Sequence, residues 1–341
     1  MRTQALARGN PNEGIRPFEM QRDLLQLADL IELCFRSELQ LTGSPIVAEL
    51  RRLGSVGPLL WLFDAFSSAF LPLVSGYVWI ANGQLVGNVT LNLEGRQRRL
   101  WSISNVAVHP DFRRRGIARQ LMAVALQDLR NKGAQMAVLE VQADNIPAQR
   151  LYHDLGFEVY DTVAEISLPA RKWTERTAPT SLALRKRRPD DWQSLYELLR
   201  ATTPAKAQEV KPVLGYDYRL GGERRLERWL NDLLSLRRSS DWVLAEDGRI
   251  TALLRVTGQY TRAAHRLQID VHPDRRGTIE EGLIAIGLYT LRRFPVREVA
   301  STFSMSHPEA EQAFRNAGFR TVRLLDQMRL DLRRTGSDSR C

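Results

Sequence analysis

Residues 106–118 read VAVHPDFRRRGIA: a β-branched run, a His-Pro-Asp turn, three arginines and a glycine. The run predicts a strand, and the residues after Gly116 predict a helix that begins at about Ile117. The start of a helix presents unpaired N–H groups and a partial positive charge. Gly116 can adopt a backbone conformation closed to other residues, and the small Ala118 keeps the first helical turn slim. This stretch therefore predicts a pyrophosphate site, the alternative being an ordinary basic helix start. Four arginines surround it: Arg113, Arg114, Arg115 and Arg119.

Length and composition limit the possible folds and partners. The chain has 341 residues, 43% of them hydrophobic, and a formal net charge of +10. That length suits one large globular domain or two ordinary ones. Most of the positive charge is arginine, which binds phosphate or carboxylate bidentately, so the basic surface either binds an anion or is simply solvated. Because we find neither an RNA-binding aromatic signature nor a helix-turn-helix pattern, we expect no nucleic-acid partner.

The cysteines and the N-terminus point to a cytoplasmic protein. Cys34 and Cys341 do not form a disulfide framework, and no Cys/His spacing predicts a metal site. Cys34 falls on the apolar face of a predicted helix, where we expect it in the core. The first residues lack the apolar segment of a signal peptide.

One apolar stretch, residues 56–80, is long enough to span a bilayer. Prolines and glycines interrupt it, and Asp64 near its middle would be costly in a membrane. We therefore predict a buried helix at about 58–70, a break at Pro72 and a strand that begins near Gly76, rather than a membrane span.

The order of elements predicts a mixed α/β protein built from two similar halves. A strand, two helices, three strands, then helix, strand, helix and strand are followed by a polar, proline-bracketed linker. The second half repeats the hairpin, the His-Pro-Asp turn and a Gly-Phe pair at comparable separations, which favours an internal duplication. We expect a tail at 1–14, a first domain at 15–168, a linker at 169–180, a second domain at 181–332 and a tail at 333–341.

Two motifs in the first half resemble those of the GNAT family of N-acetyltransferases. One is R-x-x-G-x-A over 113–118, between a strand and an amphipathic helix; the other is NIPAQRLYHDLGF over 145–157. Their order and spacing make the resemblance specific. It implies two tandem GNAT folds, each a mostly antiparallel mixed sheet flanked by helices, and a direct acetyl transfer from acetyl-CoA to an amine.

The resemblance also implies roles for individual residues. The backbone of Val106, Ala107 and Val108 would bind the pantetheine arm, Asn145 would contact the same region, and Tyr152 would protonate the departing thiolate. For Tyr152 the alternative is a tyrosine that only packs on the sheet. The pyrophosphate would lie on the turn formed by Arg113, Arg114, Arg115, Gly116, Ile117, Ala118 and Arg119.

The general base is not determined by the sequence. The strand that in many relatives carries a glutamate has no carboxylate here. Glu140, on the next strand, is a candidate, although it could equally pair with an arginine. Ser104 or Asn105 could instead position a water. An α-amine has a pKa near 8 and needs less help than a lysine, so the missing glutamate favours an acceptor of low pKa.

The apolar segment 59–73 falls where the second helix of this family lines the acceptor groove. We therefore expect an acceptor with an apolar portion, either a protein or peptide N-terminus or a small-molecule amine, bound by a monomer or homodimer. The candidate acceptor-binding residues are Trp61, Phe63, Phe66 and Asn105. The alternatives are a non-catalytic coenzyme-A sensor or scaffold, and a tandem acetyltransferase of the mycothiol-synthase kind, whose active half is C-terminal.

The second half departs from the family pattern. Its turn, VHPDRRGTIEEG, is shorter, and Glu280 and Glu281 bring negative charge to the expected phosphate site. His307 stands where Asn145 stands, and Phe314, which cannot donate a proton, stands where Tyr152 stands. We expect this half to have lost catalysis and to complete the acceptor site, bind a partner or mimic a dimer.

Overall fold

The structure, a computed structural model, describes residues 13–36, 47, 50–51, 75–94, 99–173, 182–219 and 230–333. The chain divides into two compact units. Unit 1 comprises residues 1–140, 150–158 and 328–341, and unit 2 comprises residues 141–149 and 159–327.

Unit 1 is built on strands in the order β1-β2-β3-β4-β5. The first three pairings are antiparallel, and β4 and β5 are parallel, with helix α2 between them along the chain. The predicted hairpin is confirmed, because Asn82 and Gly83 at its tip have φ angles of 51° and 73°. The strands are β1 (Gly14–Pro17), β2 (Ser75–Ala81), β3 (Gln84–Glu94), β4 (Leu100–Val108) and β5 (Met136–Gln142), and the helices are α1 (Met20–Cys34), α2 (Ile117–Asn131) and α3 (Ile146–Asp154).

The two faces of this sheet are covered by different helices. Leucines spaced three residues apart on α1, including Leu24 and Leu27, pack in one core with Val78 of β2 and Ala107 of β4. Gly87 of β3 faces α2, since a Cβ there would lie 3.0 Å from the side chains of Ile117 and Leu121. Adjacent strand residues point to opposite faces, so Asn88, the register partner of Ala107, lies on the α1 face.

Unit 2 repeats this arrangement. Its strands follow the order β6-β11-β10-β9-β8-β7, and the parallel pair β10 and β11 is again separated along the chain by one helix, α6. The strands are β6 (Glu158–Leu168), β7 (Arg185–Lys186), β8 (Arg237–Glu246), β9 (Arg249–Gln259), β10 (His265–Val271), β11 (Val299–Ser304) and β12 (Arg320–Asp331); the helices are α4 (Trp192–Thr202), α5 (Ala205–Val210), α6 (Glu280–Leu291) and α7 (Pro308–Asn316). The prediction of mixed sheets, mostly antiparallel and flanked by helices, is confirmed.

Each unit contains the same ion-paired connection between a strand and the helix that follows it. In unit 1, Arg16 of β1 forms a bidentate pair with buried Asp23 of α1, with N–O distances of 2.6 Å. In unit 2, Arg185 of β7 pairs in the same way with Asp191, just before α4, at 2.7 Å. This shared ion pair, which joins β1 to α1 and β7 to the segment just before α4, supports the internal duplication.

The compact units differ from the boundaries expected from the sequence. Residues 159–168 of β6 belong to unit 2, where they pair antiparallel with β11 from Val163↔Ser304 to Leu168↔Val299. The C-terminal residues 328–341 belong to unit 1, where the Leu332 amide donates to the Gln135 carbonyl at 2.8 Å. The alternation of apolar and polar residues along a strand indicates which face is buried but not which strand lies beside it. The sequence therefore could not predict which unit these segments belong to.

The expected linker at 169–180 is partly structured. Trp173 is buried in the core of unit 2, and its indole N–H donates to the Arg297 carbonyl at 2.7 Å. The predicted strand near Gly76 is confirmed as β2, whereas the predicted helix at 58–70 lies outside the described residues. Within the part of the chain that the structure describes, no helix is both long and apolar enough to cross a membrane.

Candidate active site

The arginine turn joins β4 to α2. The His109 Nδ1 accepts from the Asp111 amide at 3.3 Å, and Gly116 adopts φ 78° directly before the helix. A Cβ at Gly116 would meet only the side-chain Nε2 of Gln120, at 3.7 Å. The left-handed backbone conformation, rather than a lack of space, is therefore what favours glycine here. The predicted helix start at Ile117 and the left-handed glycine are both confirmed.

Unsatisfied amides stand at this helix start. The Gln120 amide makes the first intrahelical bond, to the Gly116 carbonyl at 3.0 Å. The backbone amides of Ile117, Ala118 and Arg119 precede it. The N-cap residue, Gly116, has no side chain that could accept from them, and among the described residues no side-chain cap is formed. Amides aligned in this way, with the helix dipole, favour an anion.

Backbone carbonyls hold two of the arginines at the turn. Arg113 Nε donates to the Val108 carbonyl at 3.1 Å, and Arg115 donates to the Asp111 carbonyl at 2.9 Å. Since a carbonyl carries no net charge, both guanidinium charges remain available to an anion. Arg119 differs, because it forms an exposed ion pair with Asp154. The donors at the turn therefore match a pyrophosphate in charge and in hydrogen-bonding character.

The predicted pantetheine strand lies where β4 separates from β5. The two parallel strands are in register only from Leu100↔Met136 to Ser102↔Val138 among the described residues. The register between β3 and β4 then shifts, and Asn105 takes φ 51° at this bulge. Val106, Ala107 and Val108 follow the bulge, at the open end of the strand pair.

Cys34 lies beside this strand end. It is half-buried and packs on the α1 core, and its thiol also donates to the Val108 carbonyl at 3.4 Å. Burial raises the pKa of the Cys34 thiol, and the nearby Arg113 opposes that shift. Sequence patterns could not predict this contact, because Cys34 and Val108 are distant along the chain.

Tyr152 lies on α3 with its ring against Phe157, at a centroid distance of 6.0 Å. Only 6% of the residue is exposed, and burial raises the pKa of Tyr152 to about 12. Its hydroxyl has no hydrogen-bond partner among the described residues. The phenol is therefore protonated at neutral pH, and its proton is free to be donated.

The other predicted site residues occupy different environments. Asn145 is exposed at the start of α3, where its side-chain oxygen accepts from the Ala148 amide at 3.2 Å. Glu140 is exposed on β5 between buried Leu139 and Val141, so its role as a base stays a prediction. Trp61, Phe63 and Phe66 lie outside the described residues.

A polar row on β3 was missed by the sequence reading. Asn88, Thr90 and Asn92 alternate along a strand whose residues 85–91 are all buried. Asn88 Nδ2 donates to Thr90 Oγ1 at 3.1 Å and to the Asn105 carbonyl at 2.9 Å, while Asn92 Nδ2 donates to Ser104 Oγ at 2.9 Å. Polar residues at every second position place this row on one face of the strand, but such alternation ordinarily predicts a solvent-exposed face, so the sequence has no signal for its burial.

The corresponding turn of unit 2 already contains an anion. The Glu280 carboxylate accepts from the Gly277 amide at 3.0 Å and from the Ile279 amide at 3.2 Å. His307 Nε2 lies 3.0 Å from the same carboxylate. The predicted negative charge at this turn thus comes from Glu280, whereas Glu281 binds the Asn316 amide instead.

The sequence comparisons concern the first half. A family model described as the acetyltransferase (GNAT) family matches residues 51–157. A [ribosomal protein bS18]-alanine N-acetyltransferase of Salmonella typhimurium is 43% identical over 56 residues, 16% of this chain and 38% of that protein. A mycothiol acetyltransferase of Streptomyces bingchenggensis is 39% identical over 66 residues, 19% of this chain and 21% of that protein. The chain thus spans well under half the length of the curated relatives it matches.

The structural comparisons cover both halves. A GCN5-related N-acetyltransferase from Sphaerobacter thermophilus superposes with a TM-score of 0.61 at 18% identity, covering 96% of this chain and 98% of that one. A tandem GNAT protein from the clavulanic acid biosynthesis pathway superposes with a TM-score of 0.56 at 20% identity, covering 94% and 99%. At this identity the likeness concerns the fold, and it confirms the predicted tandem arrangement.

Proposed function

We propose that the chain is a GNAT-type enzyme that transfers an acetyl group from acetyl-CoA to a primary amine, a proposal supported by the GNAT family model that matches residues 51–157. The observation that carries this proposal is the row of uncapped amides after Gly116, surrounded by arginines and placed at the open end of the β4–β5 pair. An ordinary basic helix start would explain the arginines but not the separation of the strands.

Coenzyme A fits the residues that are present. Its pyrophosphate needs several N–H donors and positive charge, which the Ile117–Arg119 amides and Arg113 and Arg115 supply. When bound, acetyl-CoA supplies an activated acetyl group as a thioester. The residues of β4 after the bulge would align the pantetheine arm, and their backbone amides would polarise the carbonyl.

Tyr152 would act at the sulfur. With a pKa of about 12 it is protonated at neutral pH. Full transfer of its proton to an ordinary thiolate, whose pKa is about 8.5, would be uphill by about 5 kcal/mol. Tyr152 therefore contributes chiefly by donating a hydrogen bond to the negative charge that develops on the departing sulfur, with proton transfer completed late.

The acceptor is a primary amine, either a peptide N-terminus or a small molecule with an apolar portion. The partial matches to an alanine N-acetyltransferase and to mycothiol acetyltransferases support an amine acceptor. The match to mycothiol acetyltransferases favours one second candidate, acetylation of a thiol precursor's amine. Glu140, directly or through a water, would take the amine proton. We place the protein in the cytoplasm.

Transfer is assigned to the first half, and the second half is inactive in this proposal. Residues 15–168 carry every proposed catalytic group, while residues 328–341 contribute to the same compact unit. In the second half Glu280 fills the helix start and Phe314 replaces the tyrosine.

The test combines binding with turnover. Calorimetric titration of the full chain with acetyl-CoA should give one site per chain. Release of free thiol should then be followed with a panel that contains an N-terminal alanine peptide, an aromatic primary amine and a polyamine. Thiol release with the peptide or the aromatic amine supports the proposal. Binding with no thiol release for any amine would indicate a coenzyme sensor, and two sites would contradict the inactive second half.

A further inference from the structure

Asn88 is a fully buried polar residue in the middle of β3, with 0% of its surface exposed. It lies opposite Ala107, next to the bulge where β4 separates from β5. Its side-chain Nδ2 donates to the Asn105 carbonyl, the backbone group of the bulge residue. Asn88 therefore fixes the conformation of the strand that is proposed to hold the coenzyme.

The orientation of the Asn88 amide follows from its partners. A backbone carbonyl can only accept, so the amide nitrogen has to face Asn105 and the oxygen has to face away. Asn88 Oδ1 is then buried without any hydrogen-bond partner among the described residues. A buried acceptor left without a donor is destabilising, and such atoms in folded proteins call for a ligand, a water or a functional role.

Unit 2 shows that the fold does not require this asparagine. In unit 1, the residue two before His109 is Ala107, and its register partner is Asn88. In unit 2, the residue two before His272 is Asp270, and its register partner is Leu253. Leu253 therefore occupies the position of Asn88. Leu253 is buried, and the described register between β9 and β10 passes this point without a shift. The buried carboxamide and the bulge thus occur together, in the unit whose helix start is uncapped.

We propose that Asn88 is a positioning residue for the acceptor amine: Nδ2 holds the Asn105 bulge, and Oδ1 accepts a hydrogen bond from an N–H of the incoming amine. This orients the nitrogen lone pair toward the bulged end of β4, where the thioester carbonyl is proposed to lie. A carboxamide does so without the charge that would hold the amine as an unreactive ammonium ion. This inference rests on the proposed transferase function.

Two substitutions test it with the full chain. Asn88→Leu places in unit 1 the residue that unit 2 has at the same register, and Asn88→Asp keeps the shape but introduces a carboxylate. Asn92→Leu is the matched control, because Asn92 lies on the same face of the same strand and donates to the Ser104 side chain rather than to the backbone of Asn105. For each variant we would measure kcat/KM for the best amine of the panel, the Kd of acetyl-CoA by calorimetry, and the thermal unfolding midpoint.

We expect Asn88→Leu to lower kcat/KM for the amine by about 10- to 100-fold. The acetyl-CoA Kd should rise by a smaller factor, because the Asn105 bulge also loses its hydrogen bond from Nδ2. Asn92→Leu should leave both within about threefold. Asn88→Asp should move the ascending, acid-side limb of the pH–rate profile to higher pH by about one unit, because a nearby carboxylate stabilises the ammonium form of the amine.

Three results would overturn the inference. Unchanged kcat/KM in Asn88→Leu would show that the amine does not use Oδ1. A parallel loss of coenzyme affinity and thermal stability, with no shift in the Asn88→Asp profile, would show that Asn88 only supports the strand. If the wild-type chain releases no thiol with any amine, the proposed function fails and this inference fails with it; the first two results leave the proposed function intact.

Discussion

The two His-Pro-Asp turns share one backbone design and differ in what satisfies it. In both, the histidine Nδ1 accepts from the aspartate amide at 3.3 Å, and the following glycine has a φ near 78°. Gly116 is followed directly by α2, whereas Gly277 is followed by two residues and then Glu280, the first residue of α6. The Glu280 side chain reaches back to the amides of the turn, an arrangement that the first turn lacks.

The electrostatics of Glu280 explain why this internal anion is stable. Burial, with 2% of the residue exposed, would raise the pKa of its carboxyl. The hydrogen bonds from His307 and from the turn amides outweigh burial and lower that pKa below its ordinary value. The carboxylate is therefore ionised at neutral pH. The difference between the two turns shows how one backbone design can be satisfied by a carboxylate of the chain itself, whereas the first turn leaves its helix start without a side-chain cap from the residues described.

The largest expected effect is the loss of coenzyme binding on placing a carboxylate in the first turn. Gly116→Asp should weaken acetyl-CoA binding by at least about 100-fold, because like charges would meet at the pyrophosphate position. Aspartate tolerates the left-handed conformation better than most residues, so the fold should persist. Calorimetric titration measures the effect. Gly277→Asp is the matched control, and a comparable loss there would contradict the assignment of binding to the first turn.

The second prediction concerns the two aromatic residues that follow the turns. Tyr152→Phe should lower kcat by about 100-fold while leaving the acetyl-CoA Kd unchanged, because only the proton donor is removed. The reverse change, Phe314→Tyr, should not create activity. It should instead lower the free energy of unfolding by about 1–3 kcal/mol, since Phe314 is buried between Phe303 and Phe319. Thiol release and chemical denaturation give the two readouts, and wild-type turnover in Tyr152→Phe would refute the assigned role.

The third prediction removes the internal anion. Glu280→Ala leaves the Gly277 and Ile279 amides without their partner and should lower the free energy of unfolding by about 1–3 kcal/mol. Inorganic phosphate should then raise the unfolding midpoint of this variant more than that of wild type. Equal stabilisation of both proteins by phosphate would argue against a vacated anion site.

The pH dependence of stability tests the same carboxylate. Since the pKa of Glu280 is lower in the folded than in the unfolded chain, its stabilising contribution is present above the unfolded value of about 4.3. It is lost as the pH falls through the folded value. Wild type should therefore lose more stability than Glu280→Ala on acidification below about pH 4.3, as measured by denaturation at each pH.

The smallest effect is expected for the arginine that directly precedes each glycine. Arg115→Gln should raise the acetyl-CoA Kd by about two- to fivefold at low salt, and less at high salt, because exposed charges are screened. The Arg276 side chain donates to the Ser306 carbonyl. Arg276→Gln should have no effect on the acetyl-CoA Kd. A salt-independent effect of Arg115→Gln would indicate a packing role.

Local rules made much of the candidate site predictable. The end of β4, the left-handed Gly116 and the start of α2 follow from strand and helix signals that act over a few residues. The negative charge of Glu280, and the phenylalanine at the position in the second half that corresponds to Tyr152, could likewise be predicted, because the two halves can be aligned by their repeated motifs. By contrast, the burial of Asn88 depends on α1 covering one face of β3, which no stretch of β3 reveals by itself.

By itself the sequence predicted a duplicated α/β fold whose motifs resemble those of the GNAT family, with a turn suited to an anion in its first half and an altered turn in its second. Only the tertiary structure decided that β6 pairs with β11, that residues 328–333 belong to unit 1, and that Glu280 folds back onto its own helix start beside His307. The physical reason is the separation along the chain of the residues that interact. Turns and helix starts are set by neighbours along the chain, whereas strand partners and buried hydrogen bonds are set by whichever distant segment best satisfies an edge or a polar atom.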